Sequence, residues 1–303
     1  MSLGLPPALV REQMRLAAKW MFSPTATWQQ SRKRLDLLTR FPPPPPGTDV
    51  APSTVGGVPV EWVTPKGGGG ARRVLLYLHG GGYAVGSARS MRRPVALTAG
   101  AMGARACVVD YRLAPEHPHP AALEDARAVW DALLADGADP KAIAVAGDSA
   151  GANLSLVLAL SLREAGQPLP GALGLICPWL DLTQEWVATR SDAPREPILT
   201  PDLIRRFTEA TCAGGADPAD PLVSPLRADL AGLPPMVVHS GADDLLVNDA
   251  AELERRARTA GVHVEHRRYD GLWHDFQLSS AFLSGAGRDA SAAMGRMLAR
   301  HLA

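Results

Sequence analysis

Three segments of this chain combine residue types and spacing that can do chemistry. The first is Gly147-Asp148-Ser149-Ala150-Gly151. A short apolar run, Ala142 to Ala146, precedes it, and a helix-like run from Asn153 to Glu164 follows. Strand, G-x-S-x-G and helix, in that order, predict a tight turn that lifts a serine hydroxyl clear of a sheet. A β-carbon at either glycine would collide with the adjoining strand or helix. The turn also sets Ser149 at a helix N-terminus, where negative charge is favoured.

The second segment is His79-Gly80-Gly81-Gly82, which closes the apolar run Val74 to Leu78. Acyl transfer passes through a tetrahedral oxyanion, and backbone N–H groups aimed into a pocket stabilise it without reorganising during the reaction. Glycines let that backbone approach substrate, and a glycine loop directly after a buried strand fits this task. The other glycine run, Gly67 to Gly70, follows Pro65-Lys66 between two strand-like segments and reads as a solvated hairpin loop.

The third segment must supply a base and an acid, which follow the serine in the order acid, then histidine. His274 lies in Gly271-Leu272-Trp273-His274-Asp275-Phe276, a turn after the strand-like run Val264 to Tyr269. From such a loop an imidazole can reach across to the serine as general base. His263 and His266 lie in or beside that strand, His239 in the apolar run Met236 to Ser240, and His301 at the terminus. The acid is expected in the loop Gly241 to Asp249, which holds Asp243, Asp244 and Asp249. A carboxylate there would hold the imidazole tautomer and stabilise the imidazolium. Asp249 fits better as the N-cap of a helix over Ala250 to Ala260. Spacing alone does not choose between Asp243 and Asp244.

Taken together with Asp110-Tyr111-Arg112-Leu113-Ala114-Pro115-Glu116-His117-Pro118, Pro178 to Leu182 and Asp220 to Pro225, these segments resemble the hormone-sensitive-lipase family, whose bacterial members are the family IV carboxylesterases. The resemblance runs from about residue 55 to the C-terminus. It implies an α/β-hydrolase fold, a mostly parallel eight-stranded sheet with helices on both faces and a helical cap. It implies a Ser149-Asp244-His274 triad, with Asp244 in the register of the family's acid although Leu245 replaces the usual proline, and Asp243 as second choice. It further implies that Gly81, Gly82 and Ala150 supply the oxyanion N–H groups. The expected activity is hydrolysis of short to medium acyl esters through an acyl-enzyme. A lactone hydrolase or amidase on the same site is the alternative, and a small-molecule receptor on the same scaffold the non-enzymatic one.

The elements that must position these residues read as three parts. Two helix-like stretches, Ala8 to Met21 and Ala26 to Phe41, end at the proline run Pro42 to Pro46, which cannot continue a helix. From about residue 53, apolar β-like runs alternate with helical ones. Runs such as Ala106–Asp110 and Leu173–Cys177 are continuously apolar, as strands covered on both faces are. That rhythm implies a mostly parallel sheet. It breaks between Thr183 and about Pro221, a proline-rich stretch with helix character at Pro201 to Thr211. The expected division is 1–50 N-terminal helices belonging to the cap, 51–182 first part of the core, 183–221 cap insertion and 222–303 second part of the core. Phe22, Trp186, Phe207, Leu245 and Trp273 are the expected substrate-binding residues. Trp20, Met21 and Trp28 are further candidate pocket walls.

Composition narrows the function further. The chain has 303 residues, 46% apolar, with 31 basic residues against 31 acidic. It has no basic excess for nucleic acid. It has no apolar run long enough to span a membrane, and its first residues lack a secretory signal pattern. An intracellular, cytoplasmic enzyme acting on a small ester without a cofactor is expected. The strand Val264 to Tyr269 is a candidate edge for a homodimer. Cys107, Cys177 and Cys212 lack metal spacing, and the first two read as reduced core residues. Glu116, His117 and His119 have no third and fourth ligand at metal spacing. Asp148 reads as a structural hydrogen-bond partner.

Overall fold

The computed structural model describes residues 5–41, 43–68, 70, 72–183, 195–279 and 285–303. Eight strands form one sheet: β1 (Asp49–Val55), β2 (Val58–Thr64), β3 (Val74–Leu78), β4 (Arg105–Val109), β5 (Ile143–Asp148), β6 (Ala172–Ile176), β7 (Met236–Gly241) and β8 (Val264–Tyr269). Their spatial order is β1-β2-β4-β3-β5-β6-β7-β8. β2 runs antiparallel to both β1 and β4, whereas β4, β3, β5, β6, β7 and β8 are mutually parallel. The central strands β3, β5 and β6 are buried along their whole length, as their unbroken apolar runs require. The glycine run at 67–70 is not a hairpin loop. It joins β2 to β3, and β4 lies between those two strands.

Among the described residues the helices are α1 (Pro7–Met21), α2 (Trp28–Thr39), α3 (Ala88–Met102), α4 (Ala121–Ala135), α5 (Ala150–Glu164), α6 (Pro201–Thr211), α7 (Val247–Thr259) and α8 (Ala286–Leu298). One face of the sheet buries Leu76, Leu78 and Val145 under Trp130 of α4, Leu156 of α5 and Leu253 of α7. The opposite face buries Leu75, Tyr77 and Val237 under Val95 of α3 and Met294 of α8. Burial of this kind, roughly 25 cal/mol per Å² of apolar surface, holds the two faces to the sheet.

A third apolar cluster joins α6 to the loops above the sheet. It contains Val85, Ala150, Trp179, Leu203, Ile204, Phe207, Leu245 and Leu246, with Phe22 just after α1 and Trp28 and Leu35 of α2 packed against it. Two of these helices, α2 and α6, have a side-chain cap where they start. Thr27 forms a capping box with Gln30 at the head of α2, and Thr200 accepts from Leu203 N ahead of Pro201 in α6; both satisfy amide groups that a helix end leaves free. Arg32 of α2 donates to Glu116 Oε1 at 3.0 Å and Oε2 at 2.6 Å, and to the carbonyls of Ala84 and Ala114. That guanidinium ties the N-terminal helices to the loop after β4.

Candidate active site

Ser149 sits between β5 and α5 with φ 52° and ψ −118°, a left-handed φ that costs a non-glycine residue. Its amide donates to Ile176 O at 2.8 Å, and its carbonyl accepts from Asn153 N and Trp179 N. The surrounding backbone thus holds the turn. A Cβ on Gly147 would overlap Gly151 O, and one on Gly151 would overlap Leu78 O. The two flanking glycines let helix, turn and neighbouring strand pass this closely.

The loop after β3 lies beside this turn. Asp148 Oδ1 accepts from Gly80 N at 3.0 Å and from Tyr77 OH at 2.8 Å, so Asp148 pins the glycine loop, in agreement with its expected structural part. Gly81 has φ +113° and Gly82 +58°. Among the described residues the amides of Gly81, Gly82 and Ala150 donate to no other backbone group. The Phe207 ring packs against Gly82. That ring also stacks on Trp28 at 5.2 Å and meets Phe22 edge-on at 5.6 Å.

The loop after β7 and the turn after β8 bring Asp244 and His274 together. Both Asp244 carboxylate oxygens lie 3.1 Å from His274 Nδ1, and both residues are buried. Asp244 Oδ1 also accepts from Leu246 N. Asp243 points elsewhere: its carboxylate pairs with Arg11 of α1 at 2.7 Å. Asp249 is not an N-cap. It lies inside α7, where its Oδ2 accepts from the amides of Leu180 and Asp181 after β6.

His274 Nε2 lies 3.3 Å from Asp275 Oδ2, and no hydrogen bond joins it to the Ser149 hydroxyl. Catalytic hydrogen bonds are often long or misaligned before substrate binds. Burial alone would lower the imidazole pKa. The carboxylates of Asp244, Asp275 and Glu196 override it and raise that pKa. Burial, the largest effect, pushes the Asp275 and Asp148 carboxyls up. Asp275, with φ +48°, and Glu196 are site residues that sequence reasoning missed. The Asp275 signal was its place next to His274; Glu196 gave none.

The expected substrate-binding residues divide. Phe22, Phe207 and Leu245 belong to the cluster that contains Ala150. Trp186 lies outside the described residues. Trp273 faces the other way: it is wholly buried in the sheet's α3–α8 face, with the Arg11 guanidinium 5.4 Å above its ring. Neighbours in a turn point to opposite sides, so adjacency to His274 sends Trp273 into the core. Trp20, a candidate wall, is half-exposed and packs under Arg34. A cavity of about 420 Å³ opens beside the site, walled by Met14, Met21, Leu35, Leu38, Ile198 and Leu278 and reaching Asp275. Its size suits a small ligand.

Two groups of side chains bring metal-ligating atoms within 4.8 Å of one another among the described residues. One is Cys177, Asp244 and His274; burial pushes the Cys177 thiol up, so it keeps its proton. The other, His263, Glu265 and His301, lies at the opposite end of the parallel strands, where Glu265 is engaged by Arg300 and His301.

A model of the α/β-hydrolase fold family matches residues 75–278. The chain is 43% identical to LipR of Mycobacterium tuberculosis over 271 residues, 89% of this chain and 87% of that protein. It is 33% identical to an esterase of Acinetobacter venetianus over 92% of this chain and 90% of that one. The crystal structure of an esterase from the bacterial hormone-sensitive lipase family superposes with a TM-score of 0.91 at 36% identity, covering 98% of each chain. The protein belongs to the hormone-sensitive-lipase family of α/β-hydrolase esterases. As a member of that family it is a carboxylic ester hydrolase. Among the described residues, no helix is long and apolar enough to cross a membrane.

Proposed function

We propose that the enzyme hydrolyses short to medium acyl esters by two-step acyl transfer. Ser149 attacks the ester carbonyl, and His274 takes its proton. Asp244 holds the imidazole so that Nδ1 carries a proton and Nε2 is free to accept one. The N–H groups of Gly81, Gly82 and Ala150 bind the oxyanion, the largest single source of rate in such sites. His274 then protonates the leaving alcohol. Water, deprotonated by the same ring, attacks the acyl-enzyme and releases the acid.

The observation that carries this reading is the placement of Asp244, with both oxygens 3.1 Å from Nδ1, in a buried loop after β7 whose Leu245 and Leu246 share one apolar cluster with Ala150. The size limit rests on the aromatic wall. Phe22, Trp28 and Phe207 close over Gly82, which leaves little depth there for a long chain. The cavity under α1 and α2 reaches Asp275, the residue after His274. The N-terminal helices and the described residues of the segment 183–221 act together as the cap that excludes water from this chemistry.

Purified enzyme assayed on p-nitrophenyl esters of two to sixteen carbons, beside lactones and anilides, tests the substrate class. Turnover should peak at the short end and be far lower on anilides. A fluorophosphonate should label Ser149, and Ser149→Ala should abolish both labelling and turnover. Retention of turnover by that variant would end the scheme.

A further inference from the structure

Glu196 is a buried carboxylate with no lysine or arginine partner among the described residues. Its acceptors are spent on backbone amides. Oε1 accepts from Ile198 N at 2.7 Å and Leu199 N at 3.1 Å. Oε2 accepts from His274 N at 2.9 Å, across 78 residues of chain. Burying an anion without a counter-charge is costly. The site tolerates it here by giving the carboxylate three N–H donors.

We propose that Glu196 is a positioning residue for the catalytic imidazole, a latch through which the cap segment fixes the backbone of His274. The inference rests on His274 being the general base.

Two features of the geometry carry it. The first is the turn itself. His274 is followed by Asp275 at φ +48° and preceded by Gly271 at φ +68°, so the backbone that aims the imidazole contains a left-handed non-glycine residue. Such a conformation persists only when its surroundings over-determine it. Asp244 fixes the ring at Nδ1, and Glu196 fixes the main chain at the amide of the same residue. The second is what lies on the other side of the carboxylate. Ile198 and Leu199 run directly into Thr200, the N-cap of α6. That helix carries Phe207 against Gly82. One side chain therefore links the helix covering the glycine loop to the backbone of the base.

Electrostatics act in the same direction. The Glu196 charge favours the imidazolium that forms when Ser149 loses its proton. Burial and Asp244 raise the Glu196 carboxyl to about 7, while the His274 charge and the amide donors favour its anion. Imidazolium formation thus strengthens the latch. The titratable groups around the ring are Asp244, Asp275, Asp148, Glu196 and the Cys177 thiol.

The test compares Glu196→Gln, Glu196→Asp and Glu196→Ala with wild type on one short p-nitrophenyl ester. In Gln one arm of the carboxylate becomes an NH₂ that opposes an amide donor. Asp keeps the charge but is too short to span both sides. Misplacing a base by an ångström can cost about 100-fold, so kcat should fall about 10- to 100-fold in Gln and Asp, with KM within about 3-fold of wild type. Removing the charge in Gln should move the acid limb of kcat/KM to lower pH, and Asp should leave it nearer wild type; a purely structural role would move neither. Formate or acetate should restore part of the lost kcat in Ala. Wild-type kcat and an unmoved acid limb in Gln, or a loss confined to KM, would overturn the proposal. Should the variants not fold, wild type still decides: the His274 amide should exchange slowly with solvent, and rapid exchange refutes the latch. The two readings fail separately. Turnover in His274→Ala sinks the base assignment, whereas a dead His274→Ala beside an active Glu196→Gln sinks the latch alone.

Discussion

Phe207 and Gly82 leave no space between them: a methyl group added at Gly82 would overlap the Phe207 ring. The contact joins the cap helix α6 to the glycine loop after β3. It makes two substitutions informative, one on each side.

Gly82→Ala should be severely damaging. Its φ of +58° disfavours an alanine, and the new methyl has only Phe207 to push against. Displacing one oxyanion donor costs about 10²–10³-fold in kcat. The measurement is kcat on a short p-nitrophenyl ester, with a melting curve to confirm the fold. Turnover within a few-fold of wild type would remove Gly82 from the oxyanion site.

Phe207→Ala acts on the other partner and should leave the glycine loop in place. The ring fills the space between Trp28, Phe22 and Gly82, so its loss opens depth. The optimum acyl length should lengthen by about two carbons, with relative kcat/KM for octanoate over acetate rising about 10-fold, in line with roughly 0.8 kcal/mol per buried methylene. An unchanged chain-length profile would place the acyl chain elsewhere.

Asp244→Asn should lower kcat by about 10⁴-fold, since an amide favours the wrong imidazole tautomer. Asp243→Asn should change it less than about 5-fold, because Asp243 pairs with Arg11 rather than with His274. Steady-state kinetics on both variants decide the matter. The reverse pattern would mean that Asp243 is the acid.

These two neighbours show where sequence stops being informative. The loop Gly241 to Asp249 was legible because a continuously apolar strand must end in a turn, and the serine turn was legible because glycines leave a spacing. Which carboxylate faces the imidazole depends on a partner 232 residues away, Arg11, which captures Asp243. Trp273 was misplaced for a similar reason: a turn sends adjacent side chains to opposite sides, and no residue pattern says which. Glu196 was invisible because its hydrogen bond goes to a backbone amide, and a backbone amide has no residue signature. The sheet order was legible in kind but not in detail. The glycine connection at 67–70 looked local, yet β4 enters between the strands it joins.

The acid limb of kcat/KM should lie above the value of about 6.5 for a free imidazole. Burial opposes the charged ring, but Asp244, Asp275 and Glu196 outweigh it and raise its pKa. A raised pKa keeps the base protonated to higher pH, so activity should climb through neutrality and beyond. A pH–rate profile from 5 to 10 checks this. A midpoint at or below 6.5 would show that the carboxylates around the ring are neutral.

Asp249 makes a prediction about stability rather than rate. Burial pushes its carboxyl up to about 8, against the opposing effect of the Leu180 and Asp181 amides, while an unfolded aspartate titrates near 3.9. The folded state therefore binds a proton that the unfolded state has already released between about pH 4 and 8. Stability from this group is complete below about pH 4 and is lost as pH rises through 8. Asp249→Asn cannot ionise, and its side-chain oxygen can still accept from both amides. The variant should melt at a higher temperature than wild type at pH 9, with the difference shrinking or reversing at pH 5. Thermal melts at the two pH values measure it. Equal melting temperatures at pH 9 would mean that the anion is already well satisfied by the two backbone donors after β6.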